Sequence, residues 1–254
     1  MADFRLRREE VLDGERFKSM LDESPARAAQ AVLIAARQGE VEAQALLGQI
    51  LLDGQGIAQD QPLALRWFEI AARNGHLMAR NMLGRCHEHG WGCPADASVA
   101  AGNYRLAAEN GLAWAMYNFA NLLATGRGVV EDQAQALELY RRAAESGHAK
   151  SMNLLGRYLE EGRFCPRDPS AAVEWYRRSA EGGDFRGQFS LGAVLFEQGR
   201  IEEGLVWLRQ AMLSGNQRFL HVCAQRLLSA PQPQLRLLGE DYVTHERKMF
   251  GSNA

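Results

Sequence analysis

The chain has 254 residues, of which 46% are hydrophobic and 24% charged, so it is long and apolar enough to bury a continuous core. Its 29 basic and 31 acidic side chains leave a formal net charge of -2, which argues against a general attraction to nucleic acid or anionic lipid. The first residues lack the apolar stretch of a signal peptide, and no later segment approaches the roughly 20 apolar residues of a membrane span. We therefore expect a cytoplasmic protein with no membrane insertion.

A short pattern of two small residues followed by a glycine returns every 36 residues along the chain. It ends at Gly39, Gly75, Gly111, Gly147 and Gly183. A Leu-Gly pair or its equivalent, an aspartate and an alanine return with the same period. A sustained period of this length indicates a repeat fold, in which each repeat completes the core of its neighbours.

Each full repeat predicts two antiparallel helices, here named helix A and helix B. In the first full repeat, apolar residues at helical spacing predict helix A over about residues 40 to 53, where Gly54 ends it. Asp60 is expected to cap helix B, which starts near residue 61 and ends at Gly75. In the fourth repeat, Asp168 and Pro169 give the same start signal.

The repeat divides the chain into a leading segment, five repeats and a closing segment, all within one continuous domain. In the leading segment, Ser24 and Pro25 predict a partial repeat with helix B over residues 25 to 38 and a partner helix over residues 8 to 22. The leading segment covers residues 1–39. The repeats cover residues 40–75, 76–111, 112–147, 148–183 and a shortened 184–215. The closing segment, 216–254, is predicted to contain capping helices over 216–229 and about 234–249.

Small residues and aromatic residues alternate between fixed positions of the repeat. Gly48, Ala64 and their equivalents let helices approach closely, while the Trp and Tyr positions of helix B fill the remaining space. The predicted fold is all-α, a right-handed α/α superhelical solenoid of antiparallel helix hairpins.

With these elements in place, the chain resembles the Sel1-like repeat family, relatives of the tetratricopeptide repeats, over about residues 25 to 215. The loop from Gly126 to Val129 is very close to the family's loop. Phe164 replaces the second loop glycine in the fourth repeat and the fifth repeat has a shorter loop, so these two places are expected to bend differently. The resemblance implies an adaptor or scaffold, often bacterial. The chain lacks the regular cysteine pair of the secreted, disulfide-bonded members.

In such a solenoid helix A lines the concave side, and the residues opposite its packing face project into the groove. Apolar, amide and arginine side chains in these rows suit a peptide held by apolar anchors and by contacts to its backbone. An alternative is that Met78, Met82 and Trp114 only pack against neighbouring helices. The predicted partner-binding residues are Met78, Met82, Arg85, Trp114, Tyr117, Asn118, Asn121, Lys150, Arg157 and Arg186.

One segment combines thiol and imidazole side chains that could suggest zinc, at Cys86, His87, His89 and Cys93. Its spacing is not that of a zinc site, and the repeat register places Cys86 and His87 at core positions.

No nucleotide-binding loop or hydrolase motif is present. We therefore predict no cofactor, no metal site and no enzyme activity. The alternatives are an assembly or regulatory subunit that acts through the convex face or residues 230–254, and a metal-binding or hydrolytic protein.

Overall fold

A computed structural model describes residues 24–251 of the chain. Within that range every regular element is an α-helix, and consecutive helices are joined by short turns. The helices are α1 (Pro25–Arg37), α2 (Val41–Asp53), α3 (Gln61–Arg73), α4 (Leu77–His89), α5 (Ala97–Glu109), α6 (Ala113–Thr125), α7 (Gln133–Glu145), α8 (Ala149–Glu161), α9 (Pro169–Glu181), α10 (Phe185–Glu197), α11 (Ile201–Ser214), α12 (Gln217–Leu228) and α13 (Pro233–Phe250).

The described residues form two compact units, 24–136 and 137–251. In the first unit α2 packs on α3 and α4 packs on α5, and each of these pairs contacts the next helix along the chain. In the second unit the packed pairs are α8 with α9, α10 with α11 and α12 with α13. The predicted all-α solenoid of helix hairpins is confirmed. The predicted helix over residues 8–22 lies outside the described residues.

The starts of the B helices in the four regular repeats follow the predicted capping rule. The carboxylate of Asp60 accepts a hydrogen bond from the backbone N–H of Leu63 at 2.9 Å, and Asp168 accepts one from Ala171 at 2.9 Å. Each bond satisfies an amide that the helix itself leaves without an acceptor. Ser24 differs, because its side chain makes no such bond at the start of α1. The helix still begins at Pro25, whose fixed φ suits the first helical position.

Close packing of helix A on helix B depends on glycines opposite aromatic rings. A Cβ added at Gly84 would lie 2.4 Å from Cε1 of Tyr104, and one added at Gly156 would lie 2.6 Å from the same atom of Tyr176. Both tyrosines are buried, and the Tyr104 hydroxyl donates to the Glu88 carboxylate at 2.7 Å. The predicted division between small residues and space-filling aromatics is confirmed at these positions.

Phe164 takes the backbone conformation of the glycine that it replaces. Its φ is 61°, against 71° at Gly56, 76° at Gly92 and 69° at Gly128. A non-glycine residue in this left-handed region is strained. Phe164 therefore shares the left-handed φ of the glycines at this position, and the expected difference in bending at the two loops stays a prediction.

Candidate functional site

The predicted residues of the first unit lie on α4 and α6, and we name this surface the helix A face. Met78 and Trp114, one on each helix, are 38% and 43% exposed, so both present apolar surface to solvent. Met82 is different, because it is buried at 6% and belongs to the core of the unit. The packing alternative therefore describes Met82, whereas Met78 and Trp114 remain accessible.

Polar side chains on the helix A face also connect neighbouring helices. Asn118 Nδ2 donates to Oδ1 of Asn81 at 2.8 Å, which joins α6 to α4. Asn81 is buried and was not among the predicted residues. Asn153, two repeats later, is buried as well and accepts a hydrogen bond from Ser190 Oγ at 2.9 Å. The recurrence of asparagine after 72 residues is the signal that could have identified this link from sequence.

The remaining predicted residues of the first unit are partly buried. The Arg85 guanidinium lies over the Trp91 ring, 5.0 Å from its centroid, and its Nη1 is 3.7 Å from the Met82 sulfur. Tyr117 and Asn121 lie half-buried on α6. The predicted residues of this unit therefore combine two exposed apolar side chains with amide and guanidinium groups that are partly held in place.

A cavity of about 360 Å³ lies at the amino-terminal end of the first unit. Met78 and Met82 line it together with Ile34, Ala35 and Leu46. At its rim His76 Nε2 lies 3.0 Å from the Glu42 carboxylate, while His76 Nδ1 accepts from the backbone N–H of Ala79. The structure thus brings two of the predicted residues together around an apolar depression.

In the second unit the structure brings Arg157 and Arg186 together around a more polar cavity of about 470 Å³. Arg157 pairs with Glu161 at 3.5 Å, and the Arg186 guanidinium lies over the Phe185 ring, 4.6 Å from its centroid. Lys150 lies partly buried near the start of α8 and does not line this cavity. Arg226 lines the cavity but was missed, because α12 lies beyond the regular repeats and its register could not be inferred.

The thiol and imidazole residues differ in burial. Cys86 lies in the core as predicted, His87 and Cys93 are half-buried, and His89 is exposed. Cys86 is fully buried, and burial raises the pKa of its thiol to about 12. Cys93 Sγ lies 3.5 Å from Nδ1 of His87. Between residues 24 and 251, no three or more His, Cys, Asp or Glu side chains come together as a metal site would require. All four cysteines are free thiols.

The repeat family is decided by comparison with known proteins. The Sel1 repeat model matches residues 41–76, 77–112, 115–148 and 149–184, more than half of the chain. The chain belongs to the Sel1 repeat family. These Sel1 boundaries agree with the 36-residue units read from the sequence to within a few residues.

Solved structures of bacterial proteins share the Sel1 fold. A Sel1 repeat protein from Oxalobacter formigenes is 25% identical with a TM-score of 0.76, over 92% of this chain and 99% of that one. The protective antigen c5321 of uropathogenic Escherichia coli is 24% identical with a TM-score of 0.67, over 92% of this chain and 52% of its own. Immunity protein Pa5087 of Pseudomonas aeruginosa is 14% identical with a TM-score of 0.55, over 83% and 82%. No curated protein matches the chain.

None of the helices in the described range combines the length and the apolar character needed to cross a bilayer.

His148, at the start of α8, is a buried histidine whose titration can be measured. Burial, with a smaller effect of the Lys150 charge, lowers its pKa to about 4, from about 6.5 in an unfolded chain. Because the folded pKa is lowered, this residue does not destabilise the protein above pH 6.5 and destabilises it increasingly as the pH falls toward 4. The expected loss at pH 5 is about 2 kcal/mol.

The matched variant is His148→Leu, since Leu112 occupies the same position one repeat earlier. We expect the free energy of unfolding, measured in urea at pH 7 and at pH 5, to fall further in the wild type than in this variant. An equal fall in both proteins would show that His148 does not titrate as a buried group.

Proposed function

We propose that this protein is a non-catalytic adaptor or scaffold that binds a protein or an extended peptide through its helix A face. The observation that carries the proposal is the exposure of Met78 and Trp114 on neighbouring A helices of one unit. Tryptophan contributes strongly to binding energy at interfaces, and methionine adapts its shape to different partners. Membership of the Sel1 family, whose members are generally protein-interaction scaffolds, supports it.

The environment of the two exposed side chains also supports binding of a peptide. Asn118 and Asn121 lie on the same helix as Trp114, and side-chain amides can both donate to and accept from a peptide backbone. Since Asn118 is held by Asn81, its orientation is set before a partner arrives, which reduces the entropy lost on binding.

The four free thiols support a location in the reducing cytoplasm.

A double variant, Trp114→Ala with Arg157→Ala, tests the proposal. Capture of the partner from native lysate should fall at least about tenfold, because one substitution removes the exposed aromatic side chain and the other a cation of the second unit. The matched control is Val130→Ala with Arg178→Ala, which removes an exposed apolar side chain and an exposed arginine elsewhere. Undiminished capture by the first variant, with its helix content and melting temperature unchanged, contradicts binding through the helix A face.

A second candidate is an assembly subunit that binds through its B helices. Leu63 and Ile70 on α3, and Val99 and Leu106 on α5, are each 37–42% exposed. Members of each pair are seven residues apart and so lie on one side of their helix. For this candidate, Ile70→Glu with Leu106→Glu should abolish capture while the Trp114 and Arg157 variant retains it.

The hypothesis that a partner binds residues 230–254 is best tested by a substitution on the surface of that segment. Removing residues 230–254 would delete Leu238 and Tyr242, which are buried in the core of the second unit. The truncated protein would therefore expose apolar core. Leu237→Glu is the better variant because Leu237 is 62% exposed and can change without disturbing that core.

A further inference from the structure

We propose that the second unit recognises an acidic side chain within an extended partner segment, with an apolar side chain two residues away. This inference rests on the proposed function and names the chemistry of the partner at the Arg157 and Arg186 cavity. The acidic side chain would bind between Arg186 and Arg226, and the apolar one would enter an adjoining cavity whose lining includes aliphatic and aromatic side chains.

The first argument is that two arginines of the polar cavity have no ion-pair partner in the described part of the chain. Three arginines and three glutamates line it. Glu161 pairs with Arg157, and Glu160 accepts a hydrogen bond from the Tyr176 hydroxyl at 2.7 Å. Glu160 and Glu197 balance the charge of Arg186 and Arg226 overall. Neither arginine lies within ion-pair distance of a carboxylate between residues 24 and 251, so both guanidinium groups can pair with a carboxylate from a partner.

The second argument is the way in which the two arginines are held. Phe185 and Phe189 pack against Phe219, with ring centroids 4.7 Å and 5.8 Å apart. The Arg186 guanidinium lies over the Phe185 ring, and that of Arg226 lies 5.7 Å from the centroid of Phe189. A guanidinium stacked on a ring keeps its N–H donors at its edge, where they can bind both oxygens of a carboxylate. The aromatic cluster therefore orients two carboxylate-binding groups in advance.

The third argument is the adjoining cavity of about 290 Å³, lined by Phe196, Leu208, Leu227 and Leu235. Both cavities are lined by Phe189, Ala193, Glu197 and Arg226, so the two adjoin along these residues. Residues i and i+2 of an extended chain point to the same side, roughly 7 Å apart. An acidic and an apolar side chain at that spacing can reach the two cavities together.

The polar cavity also indicates that the chain passes the arginines and does not end there. It continues beyond Arg186 to Asn153 and Arg157 on α8. A partner segment that occupied only the region around Arg226 would leave that part unused. We therefore commit to an internal acidic side chain rather than to a free carboxyl terminus.

The test uses the full chain and short labelled peptides with blocked ends, each with one Glu two residues from one Leu in a Gly-Ser background. A matched peptide carries Gln in place of Glu. Fluorescence polarisation should show at least about tenfold tighter binding of the Glu peptide. The variant Arg186→Gln with Arg226→Gln should bind both peptides equally, whereas Arg178→Gln, which removes a guanidinium lying 4.3 Å from the centroid of the Trp175 ring outside the cavity, should keep the preference.

Equal binding of the Glu and Gln peptides by the wild type would overturn the inference, as would a preference that survives in the double variant. Tighter binding of a peptide with a free terminal Leu carboxylate and no Glu would overturn the choice of an internal side chain. The helix content and melting temperature of each variant establish that it is folded. Failure here differs from failure of the proposed function, because capture of the native partner would still depend on Trp114, which lies in the first unit and outside both cavities.

Discussion

Gly128→Ala is expected to destabilise the first unit by about 3 kcal/mol, although it adds a single methyl group. The added Cβ would lie 2.3 Å from the carbonyl carbon of Ala97 and 2.6 Å from the amide nitrogen of Ser98. Both atoms belong to the backbone at the start of α5, so they cannot rotate away as a side chain can. The φ of +69° adds the further strain of an L-residue in the left-handed region.

Two other glycines separate these contributions. Gly75 has a φ of +90° and nothing within 4 Å of an added Cβ, so Gly75→Ala should cost only about 1 kcal/mol of backbone strain. Gly102 lies within α5 in open space, where Ala should stabilise by up to about 1 kcal/mol. The measurement is the midpoint of urea unfolding followed by circular dichroism. Equal effects of Gly128→Ala and Gly75→Ala would contradict the close approach of this loop to α5.

Tyr242→Ala is expected to destabilise the second unit by about 4 kcal/mol. The side chain is fully buried, and its hydroxyl donates to the backbone carbonyl of Leu208 at 2.6 Å, which joins α13 to α11. Tyr242→Phe keeps the ring and removes only the hydrogen bond, so it should cost about 1–2 kcal/mol. The two variants together divide the effect between packing and hydrogen bonding.

The control for Tyr242 is Leu237→Ala on the same helix. Leu237 is mostly exposed, so its loss should change the free energy of unfolding by less than about 0.5 kcal/mol. Thermal unfolding of the three variants provides the comparison. A Tyr242→Ala melting temperature equal to that of Leu237→Ala would show that α13 does not complete the core of the second unit.

Many helix boundaries were predictable because they have a local chemical cause. Asp60 provides an acceptor for the first amides of α3, and Gly54 takes the left-handed conformation that ends α2. The predicted closing helix over about 234–249 is confirmed by α13, which begins at Pro233. These signals act within one turn of the chain and therefore can be read without knowledge of the neighbouring helices.

The site was less predictable because its geometry depends on neighbours that are distant in sequence. Helical spacing placed Met78 and Met82 in one row of α4, yet Met78 is partly exposed and Met82 is buried. The difference arises from packing between hairpins, which periodicity does not specify. Arg226 and Phe219 come from α12, where the repeat has ended and no register could be extended.

The most direct test of the helix A face is hydroxyl-radical footprinting of the full-length protein, free and bound to the partner captured from native lysate. Methionine and tryptophan are readily oxidised, and exposed examples occur both on the helix A face and on α13. Binding through the helix A face predicts that the partner protects Met78 and Trp114 while Met249 is oxidised at the same rate as before. Protection of Met249 with unchanged oxidation of Met78 and Trp114 would contradict it.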